Sequence, residues 1–306
     1  MATAEITKAR SVLKVSDLEP AEFERLLDLA EAFQARPDAH ADALRTRTIA
    51  MFFEKPSTRT RTSFAAAAYR LGALPLGLRP DELQLGRGEP VADTARVLSA
   101  YMAAIVIRTF AQAELEEVAA NADVPVINAL SDSHHPCQAL ADMLTLRERF
   151  GRLDGLKLAY VGDGNNVANS LIEAGGLTGV EVAVACPPGY EPSVAGAAVT
   201  HDPLEAVRGA DAVYTDVWVS MGEDAERDRR LADLRPYQVS EELFAQAAEG
   251  AIFLHCLPAH RGEEVAAAVI DGPGSAVWQQ AANRLPTEQA LLFTLVTGDW
   301  TSPLPA

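Results

Sequence analysis

Apolar residues recur along the chain in two alternating patterns. Over 16–35, Phe23, Leu26, Leu27, Ala30 and Phe33 share one face at helical spacing, which predicts an amphipathic helix. Continuous apolar runs of strand length follow at 48–53, 104–107, 124–128, 157–161, 180–185, 211–214 and 251–254. Helical stretches separate them, among them 57–71, 91–103, 112–121, 136–150, 166–176 and 240–248. Short apolar runs alternating with helices read as parallel strands buried on both faces. The predicted class is therefore α/β, as doubly wound domains with mainly parallel sheets. At 306 residues, two such sheets fit better than one. The boundary is expected in 136–150, before Gly151 and Gly155. A last apolar helix at 277–297, broken at Pro286, is expected to run back across the first domain.

Composition narrows the functional classes. The formal net charge is −17, from 43 Asp and Glu against 26 Lys and Arg. That argues against nucleic acid, whose phosphate backbone is bound by excess basic residues, and against an anionic membrane surface. No apolar run approaches the roughly 18 residues of a membrane span, and no leader segment is read at the N-terminus. Cys137, Cys186 and Cys256 form no C-x-x-C pair, so neither a disulfide frame nor a zinc ribbon is expected. The expectation is a cytoplasmic protein.

The basic residues are 4 Lys and 22 Arg. Residues 55–80 hold Lys55, Arg59, Arg61, Arg70 and Arg79 and no carboxylate. This stretch opens with Lys55-Pro56-Ser57-Thr58-Arg59-Thr60-Arg61, directly after the strand at 48–53. Ser57 is expected to cap the helix that follows. A helix N-terminus at the carboxyl end of a parallel strand offers N–H groups and a positive dipole to an anion. Hydroxyls and guanidinium groups complete a phosphate cup, and the three hydroxyl residues interleaved with two Arg favour that reading over a capped surface helix. Further polar residues follow other strands: Arg108; His135 and Gln138; Asn165 and Asn166; Asp216, Ser220 and Met221; His255 and Cys256. So many polar strand ends predict one cleft shared by two domains.

Two other readings fail on the residues. Gly162-Asp163-Gly164 begins like a dinucleotide fingerprint, but the next strand ends Val184-Ala185-Cys186 with no acidic residue to hold a ribose. The glycines are instead expected to let the backbone approach a small ligand, with the Asn amides as contacts. His134, His135, His255, Cys256 and His260 lack metal-site spacing, so hydrogen-bonding roles are expected for them.

Together these motifs resemble the transcarbamylase family. The shared features are Ser57-Thr58-Arg59-Thr60-Arg61, Gln84-Leu85-Gly86-Arg87-Gly88-Glu89, Arg108-Thr109-Phe110, His135-Pro136-Cys137-Gln138, His255-Cys256-Leu257-Pro258 and Asn283-Arg284. Asp216, Ser220-Met221-Gly222 and His255-Cys256-Leu257-Pro258 point to its ornithine branch rather than its aspartate branch. The resemblance spans about residues 5 to 300. One departure is Ala65, where the family is expected to carry Glu.

The resemblance implies a carbamoyl-phosphate domain over 1–135, with a C-terminal helix at about 285–306 packed back on it. It implies an L-ornithine domain over 150–275, two interdomain helices, a homotrimer, and no metal or organic cofactor. The implied reaction moves the carbamoyl group of carbamoyl phosphate to the δ-amine of L-ornithine, in arginine biosynthesis. Ser57, Thr58, Arg59 and Thr60 are implied to hold the phosphate, and Thr60, Arg108 and His135 to donate to the carbonyl oxygen. Gln138, Cys256 and Leu257 are implied to accept from the carbamoyl NH₂. Arg284 is implied to complete the charge, and Gln84 to reach the ligand from a neighbouring subunit. Asn166, Asp216, Ser220 and Met221 are the implied ornithine contacts. Cys256 beside Asp216 is expected to orient the amine or take its proton.

Overall fold

The computed structural model describes residues 9–83, 88–219 and 224–303. Gln84, Ser220 and Met221 therefore lie outside the described residues. The chain divides into two units. The first holds residues up to Leu18, Arg25–Asp132 and Leu285 onward; the second holds Glu19–Glu24 and Ser133–Arg284.

In the first unit α1 (Pro20–Ala35), which belongs to it from Arg25, leads to β1 (Thr48–Phe53), α2 (Arg59–Arg70) and β2 (Leu74–Leu78). Then come α3 (Val91–Tyr101), β3 (Ala104–Arg108), α4 (Gln112–Asn121) and β4 (Val126–Leu130). The strands pair in parallel in the order β2-β1-β3-β4. Ala50, Ile105, Ile107, Leu115 and Val126 form one face of the core. Strands covered on both faces can carry only apolar side chains, which is why β1 and β3 read as unbroken runs.

The second unit begins with α5 (Pro136–Phe150), β5 (Lys157–Val161), α6 (Asn166–Thr178), β6 (Glu181–Ala185) and β7 (Ala198–Thr200). It continues through α7 (Pro203–Val207), β8 (Ala212–Tyr214), α8 (Arg227–Leu234), α9 (Glu241–Phe244), β9 (Ile252–Leu254) and α10 (Ala267–Ile270) to the start of α11 (Val277–Thr297), which from Leu285 belongs to the first unit. Its parallel sheet has the order β7-β6-β5-β8-β9. Ala159, Val161, Val213 and Phe253 are fully buried in its core. The architecture is α/β with two parallel-sheet domains, as the apolar pattern predicts.

Several local expectations need correction. The helix expected over 57–71 starts at Arg59, and its cap is Thr58 rather than Ser57. Thr58 is itself helical (φ −78°, ψ −55°), so its side chain does not fold back on the first amides. The helix expected over 240–248 is the single turn Glu241–Phe244, capped by Ser240. Pro286 does not break the last helix; α11 runs through it. Proline removes one N–H and crowds one carbonyl. The turns on either side are held, by Asn283 Nδ2 on Thr145 Oγ1 (3.0 Å) in the second unit and by Phe293 against Phe33 in the first.

Candidate active site

In the first unit the strand order reverses between β1 and β3, and the crevice at the carboxyl ends of such strands is where open α/β sheets take ligands. The residues after β1 are Glu54, Lys55 and the start of α2. Thr60 is buried, Ser57 and Arg59 are half-buried and Thr58 is exposed. The hydroxyls of Thr62 and Ser63 bond back to the carbonyls of Thr58 and Arg59 (both 2.8 Å), which secures the first turn without using its amides. First-turn amides have no partner within a helix, so this end is suited to an anion. Lys55 is buried, paired with Asp132, and its Nζ sits 3.9 Å over the Phe110 ring. Arg61 lies elsewhere: its guanidinium flanks Gly77 of β2, where an added Cβ would come within 3.2 Å.

Arg108 closes β3. The register shifts between Ile107 and Arg108, so that Arg108 pairs with Leu130. Such an irregularity turns the side chain out of the regular alternation. Arg108 is nevertheless 8% exposed, a buried cation at a strand end.

In the second unit the order reverses between β5 and β8. Asn165 caps α6, accepting from Val167 N at 2.9 Å and Ala168 N at 3.3 Å. Its Nδ2 donates to Asp216 Oδ2 at 2.9 Å, just beyond β8. The other carboxylate oxygen accepts from Val217 N (2.8 Å) and lies 2.9 Å from Cys256 Sγ. The Cys256–Asp216 pairing expected from sequence is thus present, while Asn165, not Asn166, joins it. Asn166 is the half-buried first residue of α6. Tyr160 donates to Asn165 Oδ1 at 3.1 Å. Burial, and then the Asp216 charge, push its phenol well above the usual range, so it stays a neutral donor.

Gly164 has a different purpose from the one expected. An added Cβ would lie 2.4 Å from Pro192 N and 2.6 Å from Tyr190 O, so the close approach is to the chain's own loop.

His135 caps α5 ahead of Pro136, a residue suited to a first helical turn. Its amide donates to Ser170 Oγ at 2.7 Å. Gln138 Oε1 accepts from Arg284 Nη1 at 2.8 Å, and Gln138 Nε2 donates to Asp142 Oδ1 at 2.8 Å. Gln280 Nε2 donates to the same oxygen at 2.7 Å, and Gln280 Oε1 accepts from His255 N at 2.9 Å. Arg284, Gln138, Asp142, Gln280 and His255 therefore form one buried chain. An amide oxygen can accept two hydrogen bonds, so Gln138 keeps capacity for a ligand.

His255 and Glu264 are fully buried, with Nε2 3.1 Å from Glu264 Oε1. Nδ1 accepts from Leu257 N at 2.8 Å, which leaves the ring proton on Nε2 for Glu264. Both nitrogens serve hydrogen bonds, the role expected for this histidine. They hold Leu257 at φ +60°, a left-handed conformation that costs a non-glycine residue energy. Asp142, Gln280 and Glu264 were not singled out in the sequence. Only Asp142, four residues after Gln138 on one helix, left a readable signal.

Burial raises the Asp142 carboxyl to about 7, outweighing the Gln280 and Gln138 hydrogen bonds and the Arg284 charge. In the unfolded chain it ionises near 3.8. Between these values the folded state binds the extra proton, so its stabilisation is complete below about 4 and is lost as pH rises through about 7. Asp142→Asn keeps an acceptor oxygen and cannot ionise. It is expected to flatten the fall in unfolding free energy between about pH 4 and pH 7, by on the order of a few kcal/mol. An unchanged slope in thermal melts would show that Asp142 is not the group responsible.

Two family models match the chain. One, described as the carbamoyl-P binding domain of aspartate/ornithine carbamoyltransferase, covers residues 10–148. The other, the Asp/Orn binding domain of the same family, covers 154–295. The ornithine carbamoyltransferase of Parafrankia sp. (strain EAN1pec) is 53% identical over 305 residues, covering 94% of this chain and 96% of the relative. That of Methanothermobacter thermautotrophicus is 53% identical over 285 residues, covering 89% and 94%. The solved ornithine carbamoyltransferase of Pyrococcus furiosus is similar at TM-score 0.90 and 47% identity, covering 95% of this chain and 98% of that one. With both halves matched and identity this high across nearly the whole length, the chain belongs to the aspartate/ornithine carbamoyltransferase family.

Proposed function

We propose that the protein is an ornithine carbamoyltransferase, forming L-citrulline and phosphate from carbamoyl phosphate and L-ornithine in arginine biosynthesis. The observation that carries this reading is the Asn165–Asp216–Cys256 cluster at the switch point of the second sheet. It presents a carboxylate and a thiol, a pair suited to a substrate with cationic amines. The first sheet presents the complementary chemistry, a helix N-terminus with Arg59 and Arg108, suited to a dianion. Relatives at half identity named for this reaction support the assignment.

Ser57, Thr58, Arg59 and Thr60 hold the phosphate, with Gln84 reaching the same ligand from a neighbouring subunit. The neutral δ-amine attacks the carbonyl carbon, and negative charge develops on the carbonyl oxygen. Arg108, His135 and Thr60 donate to that oxygen, an electrostatic contribution of the oxyanion type. The bond from carbon to the bridging phosphate oxygen then breaks, and phosphate leaves with that oxygen while the amine loses a proton. Gln138 and the main chain at Cys256 and Leu257 accept from the carbamoyl NH₂, and Arg284 neutralises charge beside Gln138. Asn166, Asp216, Ser220 and Met221 contact ornithine.

The amine's ordinary pKa is close to that of Lys, about 10.4. Asp216 favours the charged amine and so aids binding; desolvation and nearby arginines favour the neutral form needed for attack. Cys256, which donates to Asp216, orients the amine, or receives its proton as its own passes to Asp216.

The assembly is a homotrimer working in the cytoplasm. Three free thiols suit a reducing compartment. No helix among the described residues is long and apolar enough to cross a membrane. An acceptor panel tests the substrate: L-ornithine is expected to be used at least about a hundredfold better than putrescine, an N-acylated ornithine or aspartate. Preference for putrescine or the acylated amine would move the assignment to a sister transferase.

A further inference from the structure

Arg108 lies where β3 leaves its regular register, so its direction depends on how the next two residues are held. Three backbone groups of that stretch pair with neighbouring segments. Arg108 O accepts from Glu54 N at 2.9 Å, Thr109 N donates to Leu130 O at 3.0 Å, and Phe110 O accepts from Asp132 N at 2.9 Å. The remaining donor, Phe110 N, goes to the Glu54 side chain, at 3.3 Å from Oε2. The same oxygen accepts from Thr109 Oγ1 at 2.6 Å. Thr109 is 1% exposed, so this hydroxyl is shielded from bulk water. Its second neighbour is Glu114 Oε2 at 3.0 Å, in the first turn of α4. One hydroxyl proton serves one strong bond, and the shorter contact is to Glu54. Glu54 therefore grips the 108–110 segment twice, by its amide at Arg108 and by its carboxylate at Thr109 and Phe110, directly beyond the register shift. It also precedes Lys55, whose ammonium lies on the Phe110 ring.

We infer that Glu54 is a positioning residue for carbamoyl transfer, which fixes the direction of the Arg108 guanidinium through Thr109 and Phe110. The inference rests on the reading that Arg108 donates to the carbonyl oxygen of carbamoyl phosphate. Glu54 itself touches no substrate. Because the oxygen's charge develops during attack, a misdirected Arg108 costs kcat more than it costs binding.

The test is steady-state citrulline formation by the full-length protein with saturating L-ornithine. Glu54→Ala is expected to lower kcat roughly ten- to a hundredfold, the scale of a 1 Å misplacement. The KM for carbamoyl phosphate should change less than about threefold. Glu54→Gln keeps an acceptor oxygen and is expected to restore kcat to within about threefold of the wild type. A merely structural role is separated by a double-mutant cycle with Arg108→Lys, which keeps the charge and loses the fork. In that background Glu54→Ala should have almost no further effect on kcat. Should Glu54→Ala not fold, Thr109→Val removes the 2.6 Å contact from its other side and is read in the same two backgrounds. Full kcat in the variants, or an equal loss with and without the Arg108 change, overturns the inference while the transferase assignment stands. A wild type that makes no citrulline overturns both.

Discussion

Replacing Arg59 by alanine is expected to lower kcat/KM for carbamoyl phosphate at least about a hundredfold, the scale of losing one well-placed donor to a developing or transferred anion. The fold should survive. Arg59 is the first residue of α2 and is half-buried. Alanine is the strongest helix former, so the substitution does not weaken the helix start. The change in unfolding free energy should stay near 0.5 kcal/mol, as for surface sites generally. Steady-state kinetics beside a thermal melt checks both halves of the statement. A variant that unfolds would make Arg59 a structural residue, and one that keeps full kcat/KM would remove it from the phosphate cup.

Asp216→Ala is expected to abolish use of ornithine while carbamoyl phosphate still binds. The carboxylate is 7% exposed and takes hydrogen bonds from Asn165 Nδ2, Val217 N and Cys256 Sγ. Removing it strands those donors, at about 1–3 kcal/mol for each buried group left unpaired. Asp216→Asn is the control, since it keeps an acceptor while losing the charge that attracts an amine. Calorimetry with carbamoyl phosphate alone should give wild-type affinity for Asp216→Asn within about threefold. Ornithine turnover by the same variant should fall by more than about a hundredfold. Loss of both ligands together would contradict a division of labour in which the first unit serves the phosphate and the second the amino acid.

What was legible in the sequence followed burial. β1, β3, β5, β8 and β9 are almost wholly buried, and each reads as a continuous apolar run. The two strands the pattern missed are both sheet edges. Leu74–Leu78 carries Pro75 and Gly77 and is largely exposed, and Ala198–Thr200 is short and open on one side. An uncovered edge strand needs no two-sided apolar surface and so leaves no run, whereas β4 and β9, also outermost, are flanked by bridges from Val12 and Ser275 and stay apolar. α8 escaped for a related reason: Arg227–Leu234 is mostly charged, with Arg230 buried against the Trp218 carbonyl at 2.8 Å.

The placement of candidate residues was legible where it follows from their own strand end, as for Arg108, Asp216 and Cys256. It was not legible where a residue acts through a partner far along the chain. Gln280 meets Asp142 across 138 positions, and Glu54 meets Thr109 across 55. Neither pairing leaves a local spacing to read. The helix cap at Thr58 shows the same limit at short range: both Ser57 and Thr58 are cap-forming residue types, and backbone geometry decided between them.

The most direct test of the account is the reaction itself. Purified protein given carbamoyl phosphate and L-ornithine should form citrulline and inorganic phosphate in equal amounts, at a rate proportional to enzyme. No citrulline above the uncatalysed background, or phosphate release that does not depend on ornithine, would contradict it.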